Sequence, residues 1–193
     1  MPFSDLPPSA AWRHQDGRSG FEVAFTQRGD NGCLLTGCTT AVEDGQAWIV
    51  EYRIRVDGAW RTRSARLSGS ASSGKYTVAL ETDAAGHWRV DGLPAPNLDG
   101  CLDVDLESSA LTNALPVHRL GLEVGARKLA PAAYVRADGL RVERLEQDYT
   151  RIRDDGQHQR YDYRAPAFDF SCELVYDNAG VVLSYPGIAI RVA

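Results

Sequence analysis

Residues 46–57, QAWIVEYRIRVD, place Trp48, Val50, Tyr52, Ile54 and Val56 at alternate positions, with Glu51, Arg53, Arg55 and Asp57 between them. A period of two over twelve residues is the signature of a strand with one buried face. Asp57-Gly58 then reads as a two-residue hairpin turn, with residues 60–68 returning as the partner strand. The same alternation recurs in residues 74–82, where Tyr76, Val78 and Leu80 alternate with Lys75, Thr77 and Glu81. It recurs again from Phe168 through Phe170, Cys172 and Leu174 to Tyr176. Both stretches run into a D-x-x-G turn, Asp83-Ala84-Ala85-Gly86 and Asp177-Asn178-Ala179-Gly180, followed by a returning strand. This shared pattern fits either an internal duplication or ordinary hairpin chemistry.

About twelve or more short strands punctuated by Gly and Pro, with no sustained 3.6-residue period, predict an all-β chain with little helix. Residues 115–124 read as a strand, 140–153 as a strand with a bulge, and 69–74 (GSASSG) as a flexible loop. No Pro/Ser linker divides the 193 residues, so one domain over 1–193 is predicted, with 1–18 as a loosely packed arm. An antiparallel sheet of this many strands must manage its edges. Strong curling into a barrel-like or half-barrel architecture is the expected solution, and such barrels can hold one small ligand.

Composition narrows the function. The chain has 21 Lys plus Arg against 26 Asp plus Glu, a formal net charge of −5, which argues against binding nucleic acid through broad phosphate neutralisation. The N-terminal MPFSDLPPSAAWRHQDG lacks a basic segment followed by an apolar one, and no window is apolar enough to span a membrane. A cytoplasmic location is therefore expected. Cys33, Cys38, Cys101 and Cys172 include no C-x-x-C pair and no nearby His, which predicts reduced thiols and no metal site.

Two segments carry candidate chemistry. With Asp57-Gly58 as the turn, Trp48 faces Leu67, Val50 faces Ala65, Tyr52 faces Arg63 and Ile54 faces Arg61. One face would then grade from apolar to cationic-aromatic, which suits an amphiphile; Arg53, Arg55, Arg61, Arg63 and Arg119 are candidates to meet its head, and Trp48, Tyr52 and Trp60 to stack on its sugar. The alternative is a sheet end reaching solvent. The second segment is residues 99–124, DGCLDVDLESSALTNALPVHRLGLEV. Asp103 and Asp105 lie on one strand face with Cα atoms about 6.6 Å apart. They could act as an acid/base pair oriented by Arg119, bind a cation, form an outward polar face, or make ion pairs with Arg119 on a neighbouring strand. No G-x-S-x-G elbow or P-loop is present. Trp88, Tyr149, Tyr161 and Tyr163 offer further stacking faces.

Gly100-Cys101-Leu102-Asp103-Val104-Asp105-Leu106, followed by Thr112-Asn113-Ala114-Leu115-Pro116-Val117-His118-Arg119-Leu120, resembles the signature of a bacterial glycolipid-binding family. The stretches 132–135 (AAYV), 146–151 (EQDYTR) and 182–186 (VLSYP) fall where that family has similar ones, and the likeness runs from about Trp12 to Pro186. The resemblance implies a curled antiparallel sheet similar to lipoprotein carriers, a glycolipid or other amphiphile as partner, no cofactor and no established catalytic residue. Asn113 and Tyr149 join the candidate ligand residues on this basis. The chain departs from the family pattern at Ala114, where Thr is expected, and at His118, where a basic residue is. Three functions stand at this level: an amphiphile carrier with a hollow interior, an enzyme acting on a sugar conjugate through Asp103 and Asp105, and a protein-interaction module without a cavity.

Overall fold

A computed structural model describes residues 3–83 and 85–193. Among them lie seventeen strands and one short α-helix. The chain begins as an antiparallel meander: β1 (Ser9–His14), β2 (Arg18–Gly29), β3 (Gly32–Glu43), β4 (Gln46–Asp57), β5 (Thr62–Ala71), β6 (Gly74–Thr82), β7 (Trp88–Val90) and β8 (Leu93–Pro94). After β9 (Asp103–Leu106), helix α1 (Ala114–Leu120), β10 (Arg127–Leu129), β11 (Ala132–Val135) and β12 (Val142–Leu145), a second meander follows. It comprises β13 (Asp148–Asp155), β14 (His158–Ala165), β15 (Phe170–Tyr176), β16 (Val182–Tyr185) and β17 (Ala189–Arg191). The pairing of β1 with β17 joins the two meanders into one fourteen-stranded sheet, ordered β10-β13-β14-β15-β16-β17-β1-β2-β3-β4-β5-β6-β7-β8. A separate three-stranded sheet, β12-β11-β9, contains the one parallel pairing among the described strands, β11 with β9.

The all-β expectation holds, but the curled, barrel-like architecture does not. The terminal strands β10 and β8 are not paired with each other, and no sheet is closed or strongly curled into a barrel. The edges are managed differently: the end strands are three and two residues long, and β8 ends in Pro94, which has no amide to donate. Much of the inner face is also filled by side chains. Leu35, Val50, Ile54, Ala65, Leu67 and Leu80 of the first meander pack with Leu98, Val104, Leu106, Leu111 and Leu115. Tyr149, Tyr161, Tyr163, Leu174 and Tyr176 of the second pack with Val117, Tyr134 and Leu145.

Strand β4 alternates as predicted, with Val50, Tyr52, Ile54 and Val56 buried and Glu51, Arg53 and Arg55 exposed. Its hairpin register does not. The turn runs from Asp57 to Arg61: Asp57 Oδ1 accepts the amides of Ala59 and Arg61 at 2.9 Å each, and the Asp57 amide donates to the Arg61 carbonyl. Tyr52 therefore faces Leu67, Ile54 faces Ala65 and Trp48 faces Ala71. The predicted cationic-aromatic end of the inner face disappears, because Arg61 lies in the turn and Arg63, beside a pairing irregularity, folds back onto Asp57 at 2.6 Å. The turns at Asp83 and Asp177 share this construction, each Oδ1 accepting two amides, those of Ala85 and His87 and those of Ala179 and Val181. Their fourth residues, Gly86 and Gly180, take φ of 87° and 70°; in the Asp57 turn that left-handed position belongs to Trp60, at 62°.

Other expectations also change. Residues 115–124 hold a helix, not a strand: a 3-10 turn over Leu111–Asn113 runs into α1, Pro116 sits in the first turn where no amide is required, and Gly121 at φ 52° ends it. Residues 111–117 are all buried, so no amphipathic period marks the helix in the sequence. Residues 140–153 divide at Glu146-Gln147 into β12 and β13, which belong to different sheets. The stretch 69–74 is a tight hairpin in which Ala71 faces Gly74. Within the expected N-terminal arm, Ser9–His14 form β1 with Trp12 buried. All four cysteines are free thiols.

Candidate functional site

The chemistry gathers around β9. Its four residues are all buried, because β9 pairs with β11 on one side while the large sheet covers it; the outward polar face considered for Asp103 and Asp105 is not formed. Asp103 is held by Arg119, Nε to Oδ1 at 3.0 Å and Nη2 to Oδ2 at 2.5 Å. Burial pushes its carboxyl up and Arg119 pulls it back. Asp105 accepts a side-chain bond from the Thr112 hydroxyl at 2.9 Å. Burial, with a smaller contribution from the Asp103 charge, raises its carboxyl to about 6 against the opposing Thr112 bond.

Asp105 lines a pocket of about 220 Å³ between the second meander and the small sheet. The rings of Tyr134, Tyr163, Phe170 and Tyr185 form its walls, Asp105, Ser109 and Asn113 supply polar groups, and Arg18, Glu107, Arg136 and Phe168 also line it, together with aliphatic side chains. Tyr163 and Tyr185 meet edge to face at 6.0 Å, as do Phe170 and Tyr185. The Tyr149 hydroxyl donates to Asn113 Oδ1 at 2.9 Å, which leaves the Asn113 amide nitrogen as the donor toward the pocket. Tyr163 is fixed by a hydroxyl bond to Gln147 Oε1 at 2.7 Å.

The loop after β9 is stapled from beneath. Glu22, wholly buried on β2, accepts from the Tyr52 hydroxyl at 2.6 Å, the Ala110 amide at 2.7 Å and the Ser109 hydroxyl; Thr39 donates to the Ser108 carbonyl at 2.6 Å. Tyr52 reaches Glu22 by lying over Gly37, where a Cβ would come within 2.3 Å of the ring. Arg18 donates to the Glu107 carbonyl and to Glu43 and lies 5.3 Å from the Trp48 ring. Arg136 covers Tyr134 and Phe168 at 5.2 and 4.8 Å.

The predicted ligand residues thus separate. Asp105 and Asn113 line the ring-walled pocket. Tyr149, Tyr52 and Trp48 stand behind it as supports, and Asp103 and Arg119 form a closed pair outside its lining. Arg53, Arg55 and Arg63 line a different groove, of about 510 Å³, near the β2–β3 turn. Arg61 belongs to the Asp57 turn. Trp60 stacks on His118 with ring centroids 3.8 Å apart beside a cleft of about 530 Å³. His118 does not replace a basic head-group contact: burial lowers it to about 4, and Nε2, 2.9 Å from the Ala179 carbonyl, is its donor in the neutral form. The sequence singled out Tyr163 as a stacking face but offered no reason to join it to Tyr134, Phe170, Tyr185, Arg18 and Arg136, which come from β11 and the residue after it, β15, β16 and β2.

Fold and site together define an all-β protein with a small ring-walled pocket between two sheets. Residues 9–191 match the profile of the family described as "Putative glycolipid-binding", and the chain belongs to that family. A crystal structure of a DUF1089 family protein from Pseudomonas aeruginosa is similar at 30% identity and a TM-score of 0.75, covering 100% of this chain and 98% of that one. A protein described as beta-barrel-like, of the domain of unknown function DUF1849 from Brucella abortus, shares the fold more distantly. Its TM-score is 0.52 at 10% identity, covering 98% of this chain and 95% of that one. Nothing matches among curated proteins. No helix among the described residues is long and apolar enough to cross a membrane.

Proposed function

We propose that the ring-walled pocket receives the carbohydrate head group of a glycolipid while the acyl chains stay outside the protein. One observation carries this reading: four of the five stretches on which the family resemblance rests contribute lining residues to this pocket. Asp105 and Leu106 come from DVDL, Asn113 from TNALP, Tyr134 from AAYV and Tyr185 from VLSYP. Their chemistry suits a sugar, since apolar ring faces stack against its C–H surfaces while a carboxyl, an amide and hydroxyls meet its hydroxyl groups. Size argues for the head alone. At about 220 Å³ the pocket falls below the roughly 300–1,000 Å³ of drug-sized sites, and the interior once expected to shelter a hydrocarbon tail is filled by Leu106, Leu111 and Leu115. An Asp103/Asp105 acid/base pair has no support in this geometry, because Asp103 is closed by Arg119 and does not line the pocket.

The test is a glycan array followed by titration calorimetry with the free saccharides it selects. Saccharides should bind wild-type protein, and Asp105→Asn and Tyr163→Ala should each weaken binding at least about tenfold, the loss of one buried polar or stacking contact. A folded wild-type protein that retains no glycan and no glycolipid overturns the reading.

A further inference from the structure

The outward face of β1–β6, the side of the sheet opposite the pocket, combines apolar and cationic groups. On β2 three successive outward residues are large and apolar: Phe21, Val23 and Phe25 are 51%, 41% and 56% exposed, and Val42 on β3 is 47% exposed. Single exposed apolar residues are ordinary, but a row of them marks a surface used for contact. Two strands across, Arg53 and Arg55 project from β4, and Arg66 stands directly opposite Arg53 on β5. Like charges in that position repel. Among the described residues neither Arg53 nor Arg55 has a carboxylate at ion-pair distance, and Arg66 reaches Glu81 only at 3.6 Å between two exposed side chains. Apart from the closed Asp57–Arg63 pair, the face sets Arg13, Arg53, Arg55, Arg66 and Lys75 against Glu51 and Glu81, in a chain whose formal charge is −5.

We propose that this face docks on an anionic lipid bilayer, with Phe21, Val23 and Phe25 seated at the boundary between head groups and acyl chains and the arginines on lipid phosphates. Apolar anchoring and electrostatic attraction together are what a peripheral surface needs, since each alone binds weakly. A second copy of the chain is the poorer occupant, because a two-fold contact brings two faces of the same cationic surplus together. The docking requires no sugar in the pocket.

The test is co-sedimentation with vesicles of phosphatidylglycerol and phosphatidylcholine, and with phosphatidylcholine alone, both free of glycolipid. Binding is expected to the anionic vesicles and to be lost at about 0.5 M salt, where screening is strong. The double variant Arg53→Gln, Arg55→Gln should weaken partitioning about 25-fold, roughly fivefold per arginine. Phe21→Ser with Phe25→Ser should abolish it, with thermal unfolding confirming that these surface variants remain folded. Asp105→Asn, which disables the pocket, should leave vesicle binding unchanged, so the two proposals fail independently. Absent binding to anionic vesicles, equal binding to neutral ones, or a lipid-free dimer that Phe21→Ser dissociates would each overturn the docking surface.

Discussion

The two meanders share one continuous sheet but cover it differently. The inner face of β3–β6 is largely aliphatic: Leu35, Val50, Ile54, Ala65, Leu67 and Leu80 interlock with the leucines of 98–115. The inner face of β13–β16 is built from Tyr149, Tyr161, Tyr163, Tyr176 and Tyr185, rigid plates whose hydroxyls must each find a partner. Branched aliphatic chains adapt until a space is filled; rings held edge to face with tethered hydroxyls keep a space open. The difference teaches where to look for stability and where to look for binding, and the variants below separate them.

The largest effect belongs to the aliphatic half. Ile54→Ala, at a site wholly buried, is expected to cost about 3–4 kcal/mol in urea unfolding without changing saccharide affinity in the folded fraction; a matched loss of affinity would break the division of labour. Gly37→Ala comes next. Its Cβ would meet the Tyr52 ring at 2.3 Å and force that ring off Glu22, for about 2–3 kcal/mol of lost stability from overpacking and a broken buried bond.

Asp105→Asn should act with the opposite sign on stability. The unfolded chain releases this proton near pH 3.8, whereas the folded chain keeps it to about 6. Between those values the unfolded state binds fewer protons, so the group's contribution to stability falls as pH rises and the penalty is complete above about 6. The Asn variant should therefore be more stable than wild type at pH 7, by about 1–3 kcal/mol, while losing saccharide binding, and the gain should shrink toward pH 4. The comparison must be variant against wild type, since buried His14, lowered to about 4, acts in the opposite direction over part of the same range. Tyr163→Phe is the smallest, about 1 kcal/mol for one hydroxyl bond, with a measurable loss of affinity from a ring no longer held by Gln147.

How far these halves were legible in the sequence follows from their packing. Strands β4 and β6 were readable to the residue because each has one buried and one exposed face, so burial and polarity alternate together. The five-residue turn was not, since Asp57-Gly58 is the strongest short hairpin signal and Trp60 occupies the position where the sister turns carry glycine. Helix α1 was misread because residues 111–117 are all buried, which erases the periodicity that distinguishes helix from strand; β9 was read correctly as a strand, but its full burial was not foreseen. Asp105 was found through the strand alternation and Asn113 through the family likeness, whereas Tyr134, Phe170, Tyr185 and the two rim arginines meet only in three dimensions.

The seam between β1 and β17 has a consequence for biosynthesis. β1 pairs with β2 at once, but its other neighbour, Ala189–Arg191, is made some 175 residues later, and the Trp12 indole finds its acceptor only at the Val182 carbonyl, 2.7 Å away. During translation the nascent first meander thus carries an open strand edge and an uncovered greasy surface until these late residues have been made and have left the ribosome. That interval gives a chaperone something to hold.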